Sequence, residues 1–88
     1  MTRLSKKREE RIKEDILSVL YENITGLSTY RIGEEILRDD EFTLRLLDEM
    51  RQRGLVKNVT KSINGNEFKT KKMWALTKEA FEAYKGLL

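Results

Sequence analysis

Eighty-eight residues, 39% apolar and 38% charged, suit a single globular domain spanning 1–88, with no room for a second core. The chain has no cysteine and no histidine, which excludes a disulfide framework, thiolate or imidazole catalysis and the usual zinc ligand sets. The net charge is +3, yet the stretch from Arg51 to Met73 holds seven bases against one acid, Glu67; this block carries +6 and the remainder −3.

The N-terminal MTRLSKKREERIKED is charged throughout and has no apolar core of a signal peptide, and no apolar run approaches a membrane span of about 20 residues. An intracellular, cytoplasmic protein is expected. From about Ser5 to Asn23, Ile12, Ile16, Leu17, Val19, Leu20 and Ile24 recur at three-to-four spacing and predict an amphipathic helix, with Glu9 and Lys13 on its wet side. Gly26 is the expected stop. Ser28 or Thr29 then caps a short helix through Ile32, Ile36 and Leu37. The Arg38-Asp39-Asp40 stretch offers a turn and another N-cap, followed by a third helix from about Glu41 to Arg53. Centring its buried face on Leu47 buries Leu44, Met50 and Thr43, turns Arg45, Glu49 and Gln52 outward, and leaves Glu41 and Phe42 at the edges.

Gly54 ends this helix and Leu55-Val56 leads into a strand. Asn64-Gly65 predicts a two-residue hairpin turn, which opposes Ile63 with Asn66, Lys61 with Phe68, Val59 with Thr70 and Lys57 with Lys72. Two lysines facing each other repel, so that register implies a negatively charged visitor. Met73-Trp74-Ala75-Leu76 brings the hairpin back to the core, and Thr77 caps a last helix with Ala80, Phe81, Tyr84 and Leu87 or Leu88 on one stripe.

Three strings in this order resemble known regulators. Leu27-Ser28-Thr29-Tyr30-Arg31-Ile32 is similar to the opening of the second helix in PadR-like proteins. The string from Leu44 to Val56, LRLLDEMRQRGLV, resembles the recognition helix and glycine stop of PadR-like and MarR-like proteins. Met73-Trp74-Ala75-Leu76-Thr77 resembles the returning wing strand. The small size is also similar to that of compact winged-helix proteins of archaea, their viruses and phages.

The resemblance implies an α+β, mainly α, winged helix-turn-helix: three helices, a two-stranded β-hairpin wing and a C-terminal helix. It further implies a double-stranded DNA-binding transcriptional regulator, with the third helix in the major groove and the wing on the phosphate backbone. Phe42, Arg45, Glu49 and Gln52 are then the candidates for base readout. Lys57, Lys61, Lys69, Lys71 and Lys72 of the wing, with Arg53, are candidates for the DNA backbone. Ser28, Thr29, Tyr30 and Arg31, at a helix opening, join them.

Each set has a plainer reading: the wet face of a helix, an edge hairpin kept soluble by lysine, and a simple cap. Trp74 and Tyr30 read as core or half-buried rather than base-stacking. Leu4, Phe81, Tyr84, Leu87 and Leu88 are candidates for a homodimer interface; alternatively the stripe of the last helix packs on the first helix of its own chain. The alternative function is a protein–protein interaction module, which would suit the five acids Asp39, Asp40, Glu41, Asp48 and Glu49 around the third helix. No enzyme, metal, cofactor or small-molecule effector is expected, and the setting is a nucleoid or a host cytoplasm.

Overall fold

The computed structural model describes residues 6–63 and 66–88, with side chains described outside 60–72. The elements are α1 (Lys6–Glu22), α2 (Thr29–Ile36), α3 (Asp40–Gln52), β1 (Val56–Ile63), β2 (Asn66–Leu76) and α4 (Lys78–Lys85). Three helix starts follow the expected capping chemistry. The hydroxyl of Ser28 accepts from the Arg31 N–H at 3.3 Å, the carboxylate of Asp39 from Phe42 at 2.8 Å, and the hydroxyl of Thr77 from Ala80 at 3.2 Å.

The core forms where α1, α2 and α3 meet the base of the hairpin. Ile16, Leu20, Ile32, Leu46, Leu47 and Met50 are fully buried, and Val56, Trp74, Leu76 and Ala80 close the cluster. Gly33 lets α2 approach the following turn: a Cβ there would lie 2.9 Å from the Arg38 carbonyl oxygen and 3.2 Å from the Thr43 hydroxyl. Gly54, at φ 76°, ends α3 as expected. Thr77 fastens this bend by donating from its hydroxyl to the Gly54 carbonyl at 2.7 Å.

Several expectations are corrected. Leu37 does not continue α2; it takes the left-handed conformation (φ 59°) and is 86% exposed, while the Arg38 N–H returns to the Gly33 carbonyl at 3.0 Å. That hydrogen-bonded closure offsets the roughly 1–2 kcal/mol a side chain costs in this conformation. On α3, Leu46 is buried and Leu44 is 49% exposed, because packing rotates the apolar face toward Leu46 and away from Leu44. Ile24 and Tyr30 are exposed rather than packed. Lys13, expected in water, is only 6% exposed.

β1 and β2 pair antiparallel, and Ile63 does oppose Asn66. The rest of the expected register is wrong by three residues: Lys61 faces Lys71, Val59 faces Met73, and Lys57 faces Ala75. The cause lies at the base, where buried Val56 pairs with buried Leu76. Leu27 also brackets Trp74, through N–H···O bonds of 2.9 and 2.7 Å. The core therefore sets the ladder, and residues 67–69 of β2 take up the difference between Asn66 and Thr70. The inferred repulsion of Lys57 by Lys72 disappears with it. The turn at Asn64-Gly65 lies outside the described residues.

A candidate nucleic-acid interface

Helical spacing lines up Glu41, Arg45, Asp48 and Gln52 along the side of α3 opposite its buried face. None of the four is buried. Leu44 and Arg51 flank them on one side; Phe42 and Glu49, both half-buried, flank them on the side that meets α1.

Two ion-paired groups occupy this surface. In the first, the Arg45 guanidinium donates through Nη1 and Nη2 to the two carboxylate oxygens of Glu9 on α1, at 3.4 and 3.2 Å. A second Nη1 bond goes to Glu49 Oε2 at 3.0 Å. The other Glu49 oxygen accepts from Nζ of Lys13 at 3.0 Å. Glu10 lies 3.7 Å from both Lys13 and Arg53. Arg45 also sits over the Phe42 ring, 5.2 Å from its centroid, and Arg38 does so at 5.5 Å.

In the second group, Arg51 and Gln52 donate to Asp48 at 2.8 and 3.2 Å. The titrations follow these contacts. The Lys13 hydrogen bond holds the Glu49 carboxyl below its ordinary range, and Arg45 adds to this. The hydrogen bond to Glu9 raises the Arg45 guanidinium further, and Arg51 lowers Asp48.

The other candidate residues divide between structural and open roles. Ser28 is buried by its capping bond, and the Thr29 hydroxyl accepts from Trp74 Nε1 at 2.8 Å, tying α2 to the hairpin. Tyr30 and Arg31 stand exposed beside them, Arg31 lying 3.9 Å from Glu34. Lys57 is exposed on β1. Lys61, Lys71 and Lys72 occupy paired positions of the wing and Lys69 lies in its unpaired stretch, with side chains outside the described residues.

At the C-terminal end, Phe81 stacks on Tyr21 of α1 at 4.9 Å between centroids, and Tyr84 meets the same ring at 5.0 Å. Those two residues of the stripe thus pack within their own chain. Leu87 and Leu88 remain 83% and 78% exposed, and Leu4 lies outside the described residues. What sequence reading missed at this surface is Glu9, Lys13, Arg38, Asp48 and Arg51. Glu9 and Lys13 are visible as a pair four apart, but their partners on α3 lie 36 residues away.

No family model matches the chain, and no curated protein is similar to it. Solved structures do match in shape. A MarR family transcriptional regulator from Silicibacter pomeroyi superposes with a TM-score of 0.69 at 16% identity, over 85% of this chain and 47% of the regulator. MepR, a transcription regulator of the Staphylococcus aureus multidrug efflux pump MepA, gives 0.67 at 19% identity over 86% of this chain and 55% of its own. Lactococcus lactis ZitR, a zinc-responsive MarR family member, gives 0.64 at 20% identity over 96% and 51%.

The fold is a winged helix-turn-helix. In this frame α2 and α3 are the helix-turn-helix, β1 and β2 the wing, and α4 the closing helix. The chain spans about half the length of these regulators, and at this identity the likeness establishes the fold. Among the described residues, no helix is long and apolar enough to cross a membrane.

Proposed function

We propose that the chain is a double-stranded DNA-binding transcriptional regulator of the winged-helix type, acting in the cytoplasm as a homodimer. The observation that carries this reading is the coincidence, on a fold used by several transcription regulators, of an outward α3 surface with a +6 segment running through the wing. The acids of α3 fit it. Asp48 and Glu49 are each bonded to cations of their own chain, while Asp40 and Glu41 occupy the first turn, where they complement the helix dipole. A polyanion therefore meets a surface whose central acids are already compensated. On this reading Arg45 and Gln52 face base edges, Phe42 and Glu49 stand beside Arg45 on the α1 side and support it, and the phosphates are met by Arg53 and the wing lysines. Tyr30 and Arg31 add contacts at the mouth of α2.

A titration against duplex DNA across a salt series tests it. Lys69→Ala, Lys71→Ala and Lys72→Ala together should weaken binding on all sequences alike and flatten the slope of log K against log salt by about 2.7 if each lysine meets one phosphate. An unchanged slope removes the wing from the interface. Wild-type protein that binds no duplex even at low salt hands the fold to a protein–protein role.

The homodimer rests on the uncovered Leu87 and Leu88 just beyond α4, with exposed Ile24 shortly after α1. A two-fold pair would set two α3 helices about one DNA turn, roughly 34 Å, apart. Sedimentation at micromolar concentration should give twice the 10.4 kDa chain mass, and Leu87→Glu with Leu88→Glu should return it to one. A wild-type species near 10.4 kDa removes the dimer.

A further inference from the structure

We infer that Glu9, on α1 and away from the outward line of α3, is a specificity-determining positioning residue: it fixes the guanidinium of Arg45 so that only one edge is presented for base reading. The inference rests on the DNA-binding role proposed above. An arginine side chain has five N–H donors in a rigid plane. Three of those on Arg45 are engaged, two by Glu9 and one by Glu49. Among the described residues no acceptor takes the Nε–H or the second Nη2–H. These two donors lie in the plane along the same edge and are parallel, the arrangement that bonds N7 and O6 of guanine together.

The hold is built in depth. Glu9 takes the end of the guanidinium with both oxygens, and Glu49 takes the remaining Nη1–H. Glu49 is itself held by Lys13 of α1, which is buried where it meets α3 and cannot swing away cheaply. The Phe42 ring supports Arg45 from its face at 5.2 Å. A free arginine in this position would spread over many rotamers and take whichever phosphate oxygen came near, giving affinity without sequence preference. Fixing it removes much of the rotamer freedom that an ordered contact would otherwise have to offset. A carboxylate that never touches DNA thereby converts a generic contact into a selective one.

The test is selection of a preferred site from random duplexes with wild-type protein, followed by affinities on that site and on random DNA. The variants are Glu9→Gln, Glu14→Gln, Arg45→Ala and the double Glu9→Gln/Arg45→Ala. Glu14 is exposed on the same helix, so Glu14→Gln removes the same charge without touching Arg45. Glu9→Gln should lower the ratio of site to random affinity about 5- to 10-fold, and Glu14→Gln less than about 2-fold. In the Arg45→Ala background the Glu9→Gln change should move the ratio less than about 2-fold.

Equal effects of Glu9→Gln and Glu14→Gln on the ratio overturn the inference and leave the DNA-binding role standing. A gain in affinity on every sequence for Glu9→Gln alone also overturns it, since Glu9 would then compete with DNA for Arg45. If the wild type selects no sequence at all, the readout role of α3 falls, and the positioning role of Glu9 with it.

Discussion

The two ends of α1 are held by opposite chemistries. Its N-terminal half meets α3 through Glu9, Glu10 and Lys13, which engage Arg45, Glu49 and Arg53. Its C-terminal half meets α4 through the rings of Tyr21, Phe81 and Tyr84. The aromatic end gains from burial and stacking, which salt and acid hardly touch. The ionic end contributes little net stability: the exposed Arg45 and Arg53 pairs are worth about 0–1 kcal/mol each and salt weakens them, and the attraction between Lys13 and Glu49 is largely offset by the desolvation of the buried lysine. What the ionic end supplies is geometry, at the helix proposed to face DNA. One helix thus carries a part that holds the fold and a part that sets the reading surface.

The comparison breaks first at the aromatic end. Phe81→Ala should lower unfolding stability by about 2–3 kcal/mol, a deduction for its half-exposed ring from the 3–5 kcal/mol typical of buried aromatics. That loss should be the same in low and high salt, as read by urea denaturation. A loss that shrinks as salt rises would mean that the aromatic end depends on charge.

The ionic end should respond more weakly, and to pH. The folded pKa of Glu49 is depressed, first by the Lys13 hydrogen bond, so its stabilising effect is complete above the ordinary glutamate value of 4.5 and is lost as pH falls through the lower folded value. Glu49→Leu leaves Lys13 with Glu10 at 3.7 Å as its nearest acid, and should cost about 1 kcal/mol at neutral pH, with little further loss on acidification. Acid titration of the two proteins, followed by circular dichroism, checks this. Parallel acid transitions in wild type and variant would show that Glu49 contributes nothing to the acid response.

The helix starts at Ser28, Asp39 and Thr77 and the glycine stop at Gly54 were legible because capping is local chemistry, written within three or four residues. The rotation of α3 was not. The Leu44-Arg45-Leu46-Leu47 run puts leucine on more than one side, and only contact with the rest of the core decides that Leu46 goes in and Leu44 stays out. Lys13 was misread for a related reason. A lysine reads as a wet residue until an acid elsewhere in the chain lets its stem lie buried while its head stays paired. The surface proposed to read bases was legible as a helix face, since Arg45, Glu49 and Gln52 stood out by spacing. The partners that orient Arg45 come from another helix and leave no periodic trace. The hairpin register is not legible from its turn: an Asn-Gly pair implies an unbroken ladder, whereas the pairing is set from Val56, Leu76 and Trp74 at the other end.

That last feature bears on how such a protein can vary. Because the pairing is referenced to the core and residues 67–69 absorb the mismatch, the reach of the wing is uncoupled from the interior of the domain. Residues added or removed between Ser62 and Thr70 leave Val56 opposite Leu76 and Trp74 beside Leu27, at a loop-closure cost of only about 0.6 kcal/mol for each doubling of length. Descendants of this chain can therefore lengthen, shorten or recharge the tip of the hairpin while inheriting the same folded body.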